Sequence, residues 1–127
     1  MKKQSIWPEK GPKPVGPYSP AICWGELVFV SGQGPFDPVT GEVRHGDVAE
    51  EFCLAVENVK TVLDAAGCDL GNVLKVTLYL ADMADFTRVN EQYGKHFGEP
   101  YPARTTIQAA GLPKGIRVEI DVIAHKG

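Results

Sequence analysis

A chain of 127 residues, 43% apolar and 23% charged, has room for one domain with a real core and little surface beyond it. No stretch approaches the roughly eighteen unbroken apolar residues of a membrane span, and the net charge of −3 has no basic block to offset it, which disfavours a membrane or nucleic-acid partner. Cys23, Cys53 and Cys68 fall into no Cys-x-x-Cys or Cys/His spacing, so neither a disulfide framework nor a zinc site is expected.

Lys2 and Lys3 are followed by no apolar run, so the start does not read as a secretory signal and the expected location is the cytoplasm. Residues 1–15 are expected to be an extended N-terminal segment of a single domain spanning 1–127. Over residues 8–20, Pro8, Pro12, Pro14, Pro17 and Pro20 forbid helix and suit an extended chain laid over the domain. Tyr18, between Pro17 and Pro20, is held either at a pocket rim or over the edge of the core.

Ala21–Trp24 and Leu27–Ser31 are β-type runs joined by Gly25-Glu26, a two-residue hairpin signal. Ser31-Gly32-Gln33-Gly34 then ends the strand with small residues that let a ligand approach the backbone; the spacing is not that of a phosphate loop. Asp47 with Glu50 forms a capping-box pattern and Gly67 a stop, bounding a helix from about Val48 to Ala66. Phe52, Val56, Val59, Leu63 and Ala66 face inward in that register, and Glu51, Glu57, Lys60 and Asp64 lie away. Cys53 has no histidine near it in sequence and reads as a filler.

Val73–Leu80 alternates, with Leu74, Val76, Leu78 and Leu80 on the expected buried side. A second helix, from about Ala84 to Phe97, carries Phe86, Val89, Tyr93 and Phe97 as its stripe, with Asn90 on the same face either tying down a loop or reaching a ligand. Two strand-like runs close the chain. Arg104, Thr106 and Gln108 alternate with Thr105, Ile107 and Ala109 in the first. In the second, Ile116, Val118, Ile120 and Val122 lie opposite Arg117, Glu119 and Asp121. If the two formed a simple hairpin, Arg104 would share a face with Val122, so they are not expected to be direct neighbours. Arg104 and Glu119 are charges that a strand does not need, and the pair reads as a handler of a small carboxylate; its bland alternative is a salt bridge without a catalytic role. Two helices cover one sheet face, so another copy of the chain is expected on the other.

Gly16-Pro17-Tyr18-Ser19-Pro20, Ser31-Gly32-Gln33, Asp37-Pro38-x-Thr40-Gly41, Val89-Asn90 with Tyr93, and the block from Pro102-Ala103-Arg104 through Leu112-Pro113-Lys114 to Val118-Glu119-Ile120 together resemble the RidA (YjgF) family, from about Gly16 to Ala124. The resemblance implies an α+β, chorismate-mutase-like subunit in a homotrimer with sites between subunits. It also implies hydrolysis of 2-imino acids and their 2-enamino tautomers, such as 2-aminoacrylate and 2-iminobutanoate, to 2-oxo acids and ammonia, without metal or cofactor. Arg104 and Glu119 match the family's catalytic positions; Tyr18, Ser31, Gly32, Asn90 and Thr106 are further substrate-contact positions. Thr106 stands where many members have a cysteine, which removes thiol chemistry there but leaves a hydroxyl to position water.

The chemistry fits these side chains. A guanidinium can grip the substrate carboxylate through two parallel hydrogen bonds, and a carboxylate can pass a proton from water to the leaving amine. A trimer that binds 2-oxo acids without catalysis is the rival reading, and ribonuclease the third. His45, His96 and His125 are scattered and supply no acid/base pair for the latter.

Overall fold

The structure is a computed structural model that describes residues 2–11 and 13–127; Met1 and Pro12 of the N-terminal segment lie outside the described residues. Eight main elements run β1 (Gln4–Ile6), β2 (Ala21–Trp24), β3 (Leu27–Gln33), α1 (Val48–Ala65), β4 (Val73–Leu80), α2 (Phe86–His96), β5 (Ala103–Gln108) and β6 (Val118–His125). The strands form one mixed sheet in the order β1-β2-β3-β6-β4-β5, and α1 packs on β3, β6 and α2. It is an α+β architecture. Among the described residues no helix is long and apolar enough to cross a membrane.

The expected hairpin is present, with Gly25 at φ +57°, a backbone conformation that glycine adopts without a Cβ penalty. The Asp47–Glu50 capping box also forms: the Asp47 carboxylate accepts from Glu50 N at 2.9 Å, and Gly67 follows the helix end at φ +77°. Val118, Ile120, Val122 and Ala124 of β6 are all buried and alternate with half-buried residues, so this face meets the helices. The last two strands are separated, as expected, with β4 between them, parallel to β5 and antiparallel to β6; the reason is not the expected one, because Arg104 and Val122 both pair with Val76 and share one face. Parallel neighbours need a long crossover, and α2 supplies it.

Five expectations need correction. The N-terminal segment is not merely extended, because Gln4–Ile6 pairs with β2 as an edge strand too short to show a period of two. Strand β3 runs on to Gln33 through a bulge between Val30 and Gln33 instead of ending at Ser31. In β4 a register shift between Val73 and Lys75 turns Leu74 outward, 46% exposed, and buries Val73 in its place. α2 begins at Phe86, because a 3-10 turn over Met83–Asp85, capped by Asp82, precedes it.

Glu51 is the fifth. It is 1% exposed rather than solvated, and its Oε1 accepts from the backbone N of Arg117 at 2.8 Å, with Arg117 Nε 3.8 Å from Oε2. A buried carboxylate is tolerable where a backbone donor and a guanidinium meet it. The consequence is a tie between α1 and the entry to β6, two residues before Glu119.

Candidate active site on two faces of one sheet

Side chains facing away from the helices make the first half of the site. Glu119 pairs in register with Tyr79, and Asp121 with Thr77, so all four share the open face of the sheet. Glu119 is half-buried and lines an open cleft of 820 Å³ together with Tyr18, Gly32, Gln33 and Lys114. Burial, and then the nearby Asp121 charge, push the Glu119 carboxyl above its ordinary value. Gly32 sits in the β3 bulge, where a Cβ would lie 2.6 Å from Glu119 Oε2. Only glycine leaves the carboxylate its place.

Tyr18 reaches this cleft because the segment before β2 is pinned. Ser31 Oγ donates to Ser19 O at 2.6 Å, Ser31 N to Pro20 O at 2.9 Å, and Tyr18 N to Gly16 O at 2.9 Å. Ser31 thus holds the strap in this chain. Tyr18 is 56% exposed, a rim position rather than a cover for the core. From α1, Asn58 donates to the carbonyls of Gly34 and Phe36, both at 2.9 Å, and fixes the loop leaving the bulge.

The second half lies across the sheet. Val76 pairs with Arg104 and Leu78 with Thr106, which places both β5 side chains on the face packed against the helices. There the Arg104 guanidinium stands 4.6 Å from the centre of the Tyr93 ring and 5.6 Å from that of Phe86. Among the described residues Arg104 forms no salt bridge, so its hydrogen-bonding edge is uncommitted while its flat face is stacked. Thr106 Oγ1 and Tyr93 OH are both buried without a protein partner among the described residues. Asn90, one turn after Phe86 and three residues before Tyr93, stands on the same ridge of α2. It is exposed, so within one chain water can satisfy its amide.

The structure therefore brings Tyr18, Ser31, Gly32 and Glu119 together, and separately Asn90, Arg104 and Thr106. It excludes the salt bridge between Arg104 and Glu119 within one chain, since the two project from opposite faces with β4 between their strands. Among the described residues, no three His, Cys, Asp or Glu side chains come together as a metal-binding group.

A family model described as endoribonuclease L-PSP matches residues 8–126. The chain belongs to that family, the RidA/YjgF family. A RutC family protein of Pyrococcus abyssi is 48% identical over 126 residues, with 99% of each chain covered. The 2-iminobutanoate/2-iminopropanoate deaminase of Bos taurus is 47% identical over 127 residues, covering 100% of this chain and 93% of the relative. Of solved structures, RidA from an Antarctic Psychrobacter matches with a TM-score of 0.90 at 43% identity over 96% of this chain and 98% of the other. E. coli TdcF with bound serine matches at 0.89 and 38%, covering 98% and 99%.

Sequence reasoning placed Phe86 and Tyr93 on the apolar stripe of this RidA-family chain, and missed that they carry Arg104. Their bracketing of Asn90 at helical spacing was the available signal. Lys114 was also missed; it lines the cleft from a left-handed backbone position (φ 55°), its ammonium 5.9 Å from the Phe36 ring. The Leu-Pro-Lys-Gly turn that places it is visible in the sequence, but the cleft beside it is not.

Proposed function

We propose that this protein hydrolyses 2-imino acids and their 2-enamino tautomers to 2-oxo acids and ammonia, in a site that two copies of the chain complete within a homotrimer. The observation that carries the reading is the half-buried Glu119, its carboxyl raised above the ordinary value by burial and seated in a cleft beside Tyr18 and Gly32. Relatives named as 2-iminobutanoate/2-iminopropanoate deaminases, 46–47% identical, give that carboxyl a reaction to serve. The relative solved with serine bound supports a ligand that carries a small carboxylate.

Arg104 would grip the substrate carboxylate with its free edge while Tyr93 and Phe86 hold its plane. Water then attacks the iminium carbon as Glu119 removes one of its protons, giving a carbinolamine. The same carboxyl returns the proton to nitrogen, the C–N bond breaks, and the hydroxyl proton leaves as the 2-oxo acid forms. Protons and electrons balance without a redox partner.

The opposite-face geometry favours Arg104 and Glu119 coming from different chains. Trp24, Leu27, Phe29 and Ile107, all between 37% and 46% exposed, are apolar side chains on the open face that a second copy would cover. No histidine among the described residues lines the cleft, which ranks the imine reaction ahead of RNA cleavage.

The test is an in situ imine assay, with an amino-acid oxidase generating substrate. Arg104→Ala should abolish the acceleration, and Arg104→Lys should rescue it poorly. Mixing Arg104→Ala with Glu119→Gln chains, each inactive alone, should restore about a quarter of wild-type activity, the share of sites that random pairing of two chain types completes. Wild-type activity in Arg104→Ala would end the assignment.

A further inference from the structure

The open face of the sheet holds a second carboxylate that the reaction sketched above does not use. Tyr79 OH donates to Asp121 Oδ2 at 2.7 Å, a diagonal contact across the β4–β6 pair, since Tyr79 lies opposite Glu119 and Thr77 opposite Asp121. A phenol has one proton to donate, so this bond commits Tyr79 to Asp121 and leaves none for Glu119. We propose that Asp121 is a positioning residue for Glu119, its charge fixed on the same face by Tyr79 and displacing the pH at which Glu119 exchanges protons. The proposal rests on reading Glu119 as the group that moves the proton.

Within one chain, among the described residues, no cation stands on the sheet floor beside Glu119 to cancel this charge. From β3 the bulge presents Ser31, Gly32 and Gln33, from β4 Tyr79, and from its own strand Asp121. Lys75, on the same face of β4, is turned to β5, where its Nζ donates to Thr105 Oγ1 at 2.9 Å. Other charges stand around the cleft: Lys114, Lys10 and Lys13, set against Glu9 and Asp37. Two carboxylates two residues apart on one strand face disfavour each other's ionised form, and partial burial weakens the solvent screening between them. Tyr79 is itself pushed up to about 12, first by its bond to Asp121 and then by burial, so the phenol proton stays in place across the working range.

Two measurements on the full chain decide the matter. A carbon-13 carboxyl titration, with the Glu119 resonance identified by its loss in Glu119→Gln, follows the proton directly. The pH profile of kcat in the imine assay follows its use. Asp121→Asn should move the Glu119 midpoint to lower pH and carry the limb of the rate profile with it. Tyr79→Phe, which keeps the Asp121 charge but removes the hydrogen bond that fixes it, should move both the same way by less. A merely structural Asp121 would lower the melting temperature and leave the midpoint in place, and that result overturns the proposal, as does a midpoint that moves without the rate limb. If the protein hydrolyses no imine, the functional reading fails by itself. The titration still speaks then: a displaced midpoint sustains the hold of Asp121 on Glu119, and an unmoved one ends it.

Discussion

Replacing Gly32 by alanine separates the position of the Glu119 carboxylate from the stability of the fold. The added methyl carbon would lie 2.6 Å from Glu119 Oε2, 2.8 Å from Cδ and 3.2 Å from Cγ. Gly32 is not among the positive-φ residues, so alanine meets no left-handed strain there. The obstacle is the far end of a flexible side chain, which can swing aside without opening the sheet. To regain ordinary contact at 3.4 Å the carboxylate oxygen must retreat by about 0.8 Å. Since a misplacement of about 1 Å can cost roughly 100-fold in rate, a fall in kcat of about 10- to 100-fold is expected. Stability should change by less than about 1 kcal/mol, because the residue is exposed and its neighbour can move. Steady-state rates of 2-oxo acid release from imines made in situ, with thermal unfolding run on the same samples, measure both quantities. Wild-type kcat at wild-type stability would refute the reasoning, since the reaction would then not depend on where this carboxylate sits.

Glu119→Gln should raise the melting temperature at neutral pH while removing activity. The sign follows from the direction of the shift: burial raises the folded-state value, so the stability linked to this carboxyl is present below the ordinary glutamate value and is lost as pH rises through the folded one. Thermal unfolding of the two proteins should therefore diverge as pH rises and converge near about pH 4, where the free side chain titrates; a constant gap would contradict it. Ser31→Ala removes the 2.6 Å bond to Ser19 O and should cost about 0.5 to 1.5 kcal/mol. By loosening the strap that carries Tyr18 it should also raise KM more than it lowers kcat. An unchanged KM would assign Ser31 to folding alone.

Much of the fold was legible because its signals are local. The Asp47–Glu50 box, Gly67 and the Gly25-Glu26 turn each act within a few residues, and the alternation of β6 places Glu119 and Asp121 opposite its buried residues. The separation of the last two strands was expected too, but on a premise the structure overturns: Arg104 does share the helix-packed face with Val122, each of them paired with Val76 of the strand between. Glu51 and Leu74 were misread for a related reason. What buries Glu51 is a backbone donor at Arg117, 66 positions away, and what exposes Leu74 is a register shift against β6. Neither leaves a trace in periodicity.

The division is clearest at Arg104 and Glu119. By itself the sequence determined the residue types, the alternation along each strand, and the resemblance that singles out these two side chains for a carboxylate-bearing substrate. It could not determine which side of β5 meets the helices, because neither Arg104-Thr106-Gln108 nor Thr105-Ile107-Ala109 forms an apolar face. Only the tertiary structure decided that. Pairing of β5 with β4 aligns Arg104 with buried Val76, and the rings of Tyr93 and Phe86 let a guanidinium lie against the helix layer with its hydrogen-bonding edge still open. Glu119, fixed to the other face by the hydrophobic alternation of β6, is then out of reach within one chain.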